Sequence, residues 1–222
     1  MSKPQDGFVS RFLNRPISRF ITRFLLKLPI HPDTWTLSIF ILPIISCFFL
    51  LRGDYGSIVI GAALLQLYSI LDGCDGEIAR AKNLESKRGE FLDHFCDLLG
   101  SLLFVIALGF GLHRPAEGIV CAILIAANEL FLRIGQDAAS VTSDASDAAY
   151  YPRHREMIER SGLHNLGPLI RWVAQLTRRD VVTLLFLLLA IVDLAPWILH
   201  LWALFAATSL VFSGIALANP RR

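Results

Sequence analysis

Asp72-Gly73-Cys74-Asp75-Gly76-Glu77-Ile78-Ala79-Arg80, followed by Gly89-Glu90-Phe91-Leu92-Asp93-His94-Phe95-Cys96-Asp97, sets four aspartates inside a chain that is 54% hydrophobic and only 18% charged. Carboxylates beside a bilayer are expensive to keep and are usually functional. No equal cluster of Lys or Arg shares their faces, so the four together require a multivalent cation. The apolar runs on either side are long and do not alternate. A segment in lipid must satisfy its own backbone as a helix or within a closed barrel. Unalternating runs select helices, and the chain reads as all-α.

The spacing predicts six membrane spans, near residues 33–51, 55–81, 90–112, 116–136, 180–194 and 196–218, the fifth of them short for the roughly 20 apolar residues a crossing needs. Mean hydropathy of +0.54 over 222 residues agrees with an integral membrane protein. All of the 21 Lys and Arg except Arg52 and Arg114 fall on one side if both termini are cytoplasmic. That asymmetry predicts the N-in, C-in orientation. The expected organisation is a juxtamembrane segment, 1–32, and a six-helix membrane domain, 33–222. The Arg-rich start, broken by Pro16, Pro29 and Pro32, does not read as a signal peptide.

Within the first segment, Arg11, Arg15, Arg19, Arg23 and Lys27 recur every four residues, with Phe8, Phe12, Phe20 and Phe24 one step away. This predicts an interfacial amphipathic helix with its rings in the acyl boundary and its cations at the headgroups. It serves as an anchor or as an active-site floor offering Arg to phosphates. Pro16 kinks this helix or sits in its first turn after Asn14. Asp33 is the expected N-cap of the first span, and Asp180 that of the fifth. Residues 137–179 read as a cytoplasmic loop with a short amphipathic helix. Cys47, Cys74, Cys96 and Cys121 sit singly in apolar runs as small hydrophobes. Basic residues at membrane boundaries, without a recognisable module, do not indicate nucleic-acid binding.

Spans 2 and 3 form an antiparallel hairpin with a short link near 82–88. Positions equidistant from the link should face each other: Asp75 opposite Asp93, Asp72 opposite Asp97, Ala79 opposite Gly89. Asp72 and Asp75 are three apart, Asp93 and Asp97 four apart, so each pair shares a helix face. Gly76, Ala79 and Gly89 lie on those faces, where small residues let helices approach and leave room for a flat ligand. All-oxygen donors favour Mg²⁺, Mn²⁺ or Ca²⁺, as one ion or two. Arg80, at the membrane edge, adds a cation directed at phosphates.

Asp72-x2-Asp75-Gly76-x2-Ala79-Arg80-x8-Gly89-x3-Asp93-x3-Asp97 resembles the signature of the CDP-alcohol phosphotransferases at every defined position. The resemblance implies transfer of a phosphate-linked alcohol from a CDP-alcohol to the hydroxyl of an alcohol or phospho-alcohol acceptor, with release of CMP. It implies that Asp72, Asp75 and Asp93 hold Mg²⁺ or Mn²⁺ and that Asp97 is a further metal-site residue and the general base. Asp72, Asp75, Gly76, Ala79, Arg80 and Gly89 would bind the CDP moiety at the cytoplasmic face of a homodimer. His94 lies ~100° around the helix from Asp93. Its two readings are a core or lipid-edge role and a catalytic one, since Asp93-His94-Phe95-Cys96-Asp97 is similar to a variant in choline and ethanolamine phosphotransferases. Arg133, Arg153, Arg155 and Arg179 are the acceptor-binding candidates, each also readable as a topology residue. The start of the chain, from Asp6 to Ser18, resembles the membrane domain of di-myo-inositol-phosphate phosphate synthases. The cytidylyltransferase domain often fused there is not seen. The expected donor is thus a separately made CDP-alcohol, and the product a phospholipid or a polar inositol phosphodiester. A divalent-cation transporter is the alternative, although transport does not need Gly76, Arg80 and Gly89 at these spacings.

Overall fold

A computed structural model describes residues 8–140 and 179–218, and among them the secondary structure is helical, with no strand. A π-helical turn, Ser10–Asn14, runs into α1, Arg15–Leu25. Pro16 sits in the first turn of α1, and its missing N–H removes the bond that would close an ordinary turn there. The bundle then follows as α2 (Pro32–Ile39), α3 (Ile41–Leu50), α4 (Tyr55–Lys82), α5 (Lys87–Gly111), α6 (Pro115–Ser140), α7 (Arg179–Ile191) and α8 (Trp197–Ala218).

The first expected span is two helices. Pro43 cannot donate to the carbonyl of Ile39 and its ring crowds that turn, so α2 ends at Ile39 and α3 restarts after Phe40. The N-cap of α2 is His31, whose Nδ1 accepts from Asp33 N at 3.3 Å. Asp33 is in the first turn instead of capping it, because Pro32 already occupies the first helical position. Asp180 likewise lies inside α7, and its Oδ2 accepts the backbone N–H of Ser10 at 2.7 Å. The link between α4 and α5 is as short as expected. Asn83 takes the left-handed conformation (φ 54°) that ends α4, and Leu84 N bonds back to Ala79 O. Ser86 caps α5 by accepting from Gly89 N at 3.0 Å.

Among the described residues, three helical stretches are long and apolar enough to cross a membrane: Pro32–Leu50, Tyr55–Lys82 and Lys87–Gly111. α6 has 26 residues, α8 has 22 and α7 only 13. The bundle core joins α3 to α8 through Leu50, Ile58, Leu65, Phe104, Leu108, Phe186 and Leu199. Within it, the Phe104 ring centroid lies 4.7 Å from that of Phe186 and 5.4 Å from that of Trp202. Ser46 donates to Gly61 O at 2.8 Å across the α3–α4 seam, a buried bond suited to apolar surroundings.

The backbones of α4 and α5 stay largely apart, and the two helices meet through their side chains. The α2–α3 rod wedges against both, and the two aspartate-bearing helices splay around it. The expected close approach of α4 on α5 through small residues is therefore replaced by packing on a third element.

α1 lies along α4, with Leu25, Cys74 and Ile78 forming a small second core. Phe8, Phe12, Phe20 and Phe24 are exposed, as are Arg11, Arg19, Arg23 and Lys27. Arg15 leaves that series and turns inward to Gly73 O and Glu77. A guanidinium opposite a half-buried carboxylate gains more there than at the surface.

Candidate active site

The carboxylates of Asp72 and Asp75 from α4 and of Asp93 from α5 converge, each half-buried, with one oxygen of each within 4.8 Å of the others. α2 organises this group. Thr36, itself buried, donates to Asp75 Oδ2 at 2.8 Å. Trp35 Nε1 donates to Leu71 O at 3.0 Å and holds α2 against the turn of α4 that precedes Asp72. Asp97 lies one turn beyond Asp93, and its Oδ1 accepts from Tyr68 Oη at 3.2 Å. The Tyr68 ring is buried and meets Phe40 edge-on at 6.5 Å.

Thr36, Trp35 and Tyr68 escaped the sequence reading. Signals were present: Tyr68 is one helical turn before Asp72, and Thr34-Trp35-Thr36 is a polar patch at the mouth of an apolar span. Their partners come from an element not known in advance to lie there.

The structure brings Asp75 and Asp93 together, one of the pairs read by symmetry about the link. Asp93 approaches both Asp72 and Asp75, and Asp97, one turn further along α5, meets Tyr68. No atom of Ala79 lies within 4 Å of a Cβ built on Gly89. A Cβ on Gly89 would come within 3.0 Å of Asp33 Oδ1 and 3.2 Å of Ser86 Oγ, so Gly89 admits α2. A Cβ on Gly76 would meet Arg80 Nη1 at 3.3 Å, which sets the exposed Arg80 guanidinium over the gap that Gly76 leaves. His94 is paired across the α5–α6 seam: its Nε2 lies 2.6 Å from Glu129 Oε1. Glu129 is a further polar residue that periodicity alone did not single out. Arg153 and Arg155 lie outside the described residues, as do the side chains of Arg133 and Arg179.

Three carboxylates this close repel one another. Two unit charges 4.8 Å apart at an effective dielectric of 20 cost roughly 3.5 kcal/mol. A divalent cation reverses the sign of that term, and the donor set is all hard oxygen from two rigid helices. The residues fit Mg²⁺ or Mn²⁺ with positions left open for other oxygens.

The sequence profile of the CDP-alcohol phosphatidyltransferase family matches residues 30–208. Curated relatives are bifunctional IPC transferase and DIPP synthases. The chain is 40% identical to the one from Archaeoglobus fulgidus over 105 residues, 46% of this chain and 20% of that protein. It is 42% identical to that of Thermococcus kodakarensis over 104 residues, 46% of this chain and 23% of the relative. It is 44% identical to that of Rubrobacter xylanophilus over 106 residues, 48% of this chain and 24% of the relative. The matched stretch is thus about a fifth to a quarter of those proteins. The profile match runs from the start of α2 to within α8 and includes the whole aspartate hairpin, so the chain belongs to the CDP-alcohol phosphatidyltransferase family of membrane transferases.

Proposed function

We propose that this protein transfers a phosphate-linked alcohol from a CDP-alcohol to an acceptor hydroxyl and releases CMP, at the cytoplasmic face of a six-span, N-in and C-in membrane domain preceded by an interfacial helix. The convergence of Asp72, Asp75 and Asp93 within 4.8 Å carries this reading, since an acidic site of this kind suits a diphosphate only with a cation between them. When bound, Mg²⁺ or Mn²⁺ on these residues neutralises the diphosphate and stabilises CMP as the leaving group. Asp97 is the base. Its Oδ1 is held by Tyr68, and the carboxylate takes the proton as the acceptor oxygen attacks the distal phosphorus and the bond to CMP breaks. Gly76, Ala79 and Gly89 seat the cytidine and its phosphates, with Arg80 at their edge. His94 and Glu129 line the neighbouring seam, and Arg133, Arg153, Arg155 and Arg179 contact the acceptor. The resemblance of the chain's start to di-myo-inositol-phosphate phosphate synthases, alongside relatives named IPC transferase and DIPP synthase, favours an inositol-phosphate acceptor, with a phospholipid product as the other outcome, and a homodimer as the assembly.

The test is CMP release by the purified protein from a panel of CDP-alcohols, each with inositol phosphate or a lipid acceptor, with Mg²⁺, with Mn²⁺ or with chelator. Turnover that stops on chelation and returns with either metal is expected. Metal flux into proteoliposomes without nucleotide, and no CMP from any donor, would replace the enzyme reading with transport.

A further inference from the structure

The turn of α4 that carries Asp72 and Asp75 is intrinsically weak. It contains Gly73 and Gly76, and glycine is a poorer helix former than alanine in a helix interior. It also bears two of three mutually repelling carboxylates. Something outside the turn must hold it. Two stripes of α4 face different neighbours at this height. Tyr68, Leu71, Asp72 and Asp75 contact α2 and α5 or their side chains. Gln66, Ser69, Gly73 and Glu77 face the N-terminal segment.

On that second stripe one carboxylate collects three donors. Ser18 Oγ reaches Glu77 Oε1 at 3.0 Å, Thr22 Oγ1 reaches Oε2 at 2.8 Å, and Arg15 Nη1 lies 3.4 Å from Oε1. The same Nη1 donates to Gly73 O at 3.2 Å. Gly73 and Glu77 are one helical turn apart, and Asp75 is inside that turn. Ser18 and Thr22 are buried, and the Glu77 side chain is 12% exposed. A Cβ at position 73 would sit 3.2 Å from Arg15 Nη1 and 3.4 Å from Ser18 Oγ, so the glycine that weakens the turn is also what admits the brace.

We infer that Glu77, held by Arg15, Ser18 and Thr22, is a positioning residue that clamps the α4 turn presenting Asp72 and Asp75, so that α1 is part of the catalytic apparatus as well as an anchor. Charge-assisted bonds to a half-buried carboxylate are among the stronger ones available, and residues that orient ligating carboxylates typically matter 10–100-fold, by order of magnitude, for metal affinity or rate. The catalytic part of this inference rests on the proposed transfer reaction; the clamp itself does not.

Two readouts on the full-length protein separate them. In Glu77→Gln, amide hydrogen exchange in peptides covering residues 70–79 should rise several-fold, while exchange in the α5–α6 seam stays unchanged. With a CDP-alcohol that the wild type turns over, kcat should fall by about tenfold. Thr22→Val should behave in the same direction, and Thr22→Ser, which keeps the hydroxyl, should restore both. Unchanged exchange at 70–79 in Glu77→Gln overturns the clamp, whatever the activity. Faster exchange with kcat unaltered overturns its catalytic part. Should the wild type release no CMP from any donor, the transfer reading fails and the exchange experiment still decides the clamp.

Discussion

Asp97 and Asp93 are four residues apart on one helix and do different things. Asp93 joins the carboxylate group, while Asp97 is held by a buried tyrosine hydroxyl at 3.2 Å. Asp97→Asn should therefore lower kcat by about 10²–10⁴, the range for loss of a positioned base, and leave CDP affinity within twofold. Single-turnover CMP release with parallel nucleotide binding checks both halves; persistent turnover would remove Asp97 from the base role. At the opposite end of α4, Asp54 is the N-cap, and the hydroxyl and N–H of Ser57 hold its carboxyl below the usual range, with Arg52 adding to the effect. The folded state thus favours the carboxylate. Its stabilising effect is complete above the unfolded value of about 3.9 and fades as pH falls through the lower folded value. Thermal unfolding of wild type and Asp54→Asn should differ at neutral pH and converge under acid. Both aspartates stand out in the sequence, but only the positions of Tyr68 and Ser57 give them roles.

Helix existence was legible from apolar runs, and the 82–88 link was legible from its polar residues. The break at Phe40 was encoded too, by Pro43, though an apolar run masks it because hydropathy does not register a missing N–H. What the runs did not contain was how elements meet. The α4–α5 hairpin reads as two helices packed on each other, yet α2 and α3 lie against both. A wedge of that kind depends on backbone approach at specific residues. Gly53 and Gly111 make the tightest such approach: a Cβ on Gly111 would lie 1.9 Å from Leu50 O, and one on Gly53 2.0 Å from Gly111 O. Neither neighbour is a flexible side chain that could swing away. Gly111→Ala should cost about 1–3 kcal/mol by overpacking and lower the melting temperature of the detergent-solubilised protein. Gly56→Ala, where the nearest described atom beyond the local helix backbone is Asp54 Oδ1 at 3.6 Å from the added Cβ, serves as the mild control.

Taken as one molecule, the protein ties its N-terminal segment to distant parts of the chain with buried polar groups. Asn14 Nδ2 donates to Ser69 Oγ at 3.1 Å, Gln66 Nε2 to Asn14 Oδ1 at 3.1 Å, and Thr183 Oγ1 to Gln66 Oε1 at 3.0 Å. Each of the four is at most 8% exposed. Thr183→Val leaves the Gln66 carbonyl without that donor, which costs about 1–3 kcal/mol when the group stays buried. The loss should appear as a lower melting temperature in Thr183→Val, whereas Thr183→Ser should match wild type; equal melting of all three would show that the network adds nothing. By itself the sequence determined that this chain is helical, apolar enough for lipid, and a bearer of the complete aspartate signature. Those properties follow from local composition and from fixed spacings along one or two helices. Only the tertiary structure decided that Asp93 meets Asp72 and Asp75 while Asp97 meets Tyr68, that α2 stands between the hairpin helices, and that Arg15 turns from the headgroup series to Glu77. Each of these depends on the rotation and separation of helices distant in sequence, which periodicity leaves free and which packing and buried polar bonds fix.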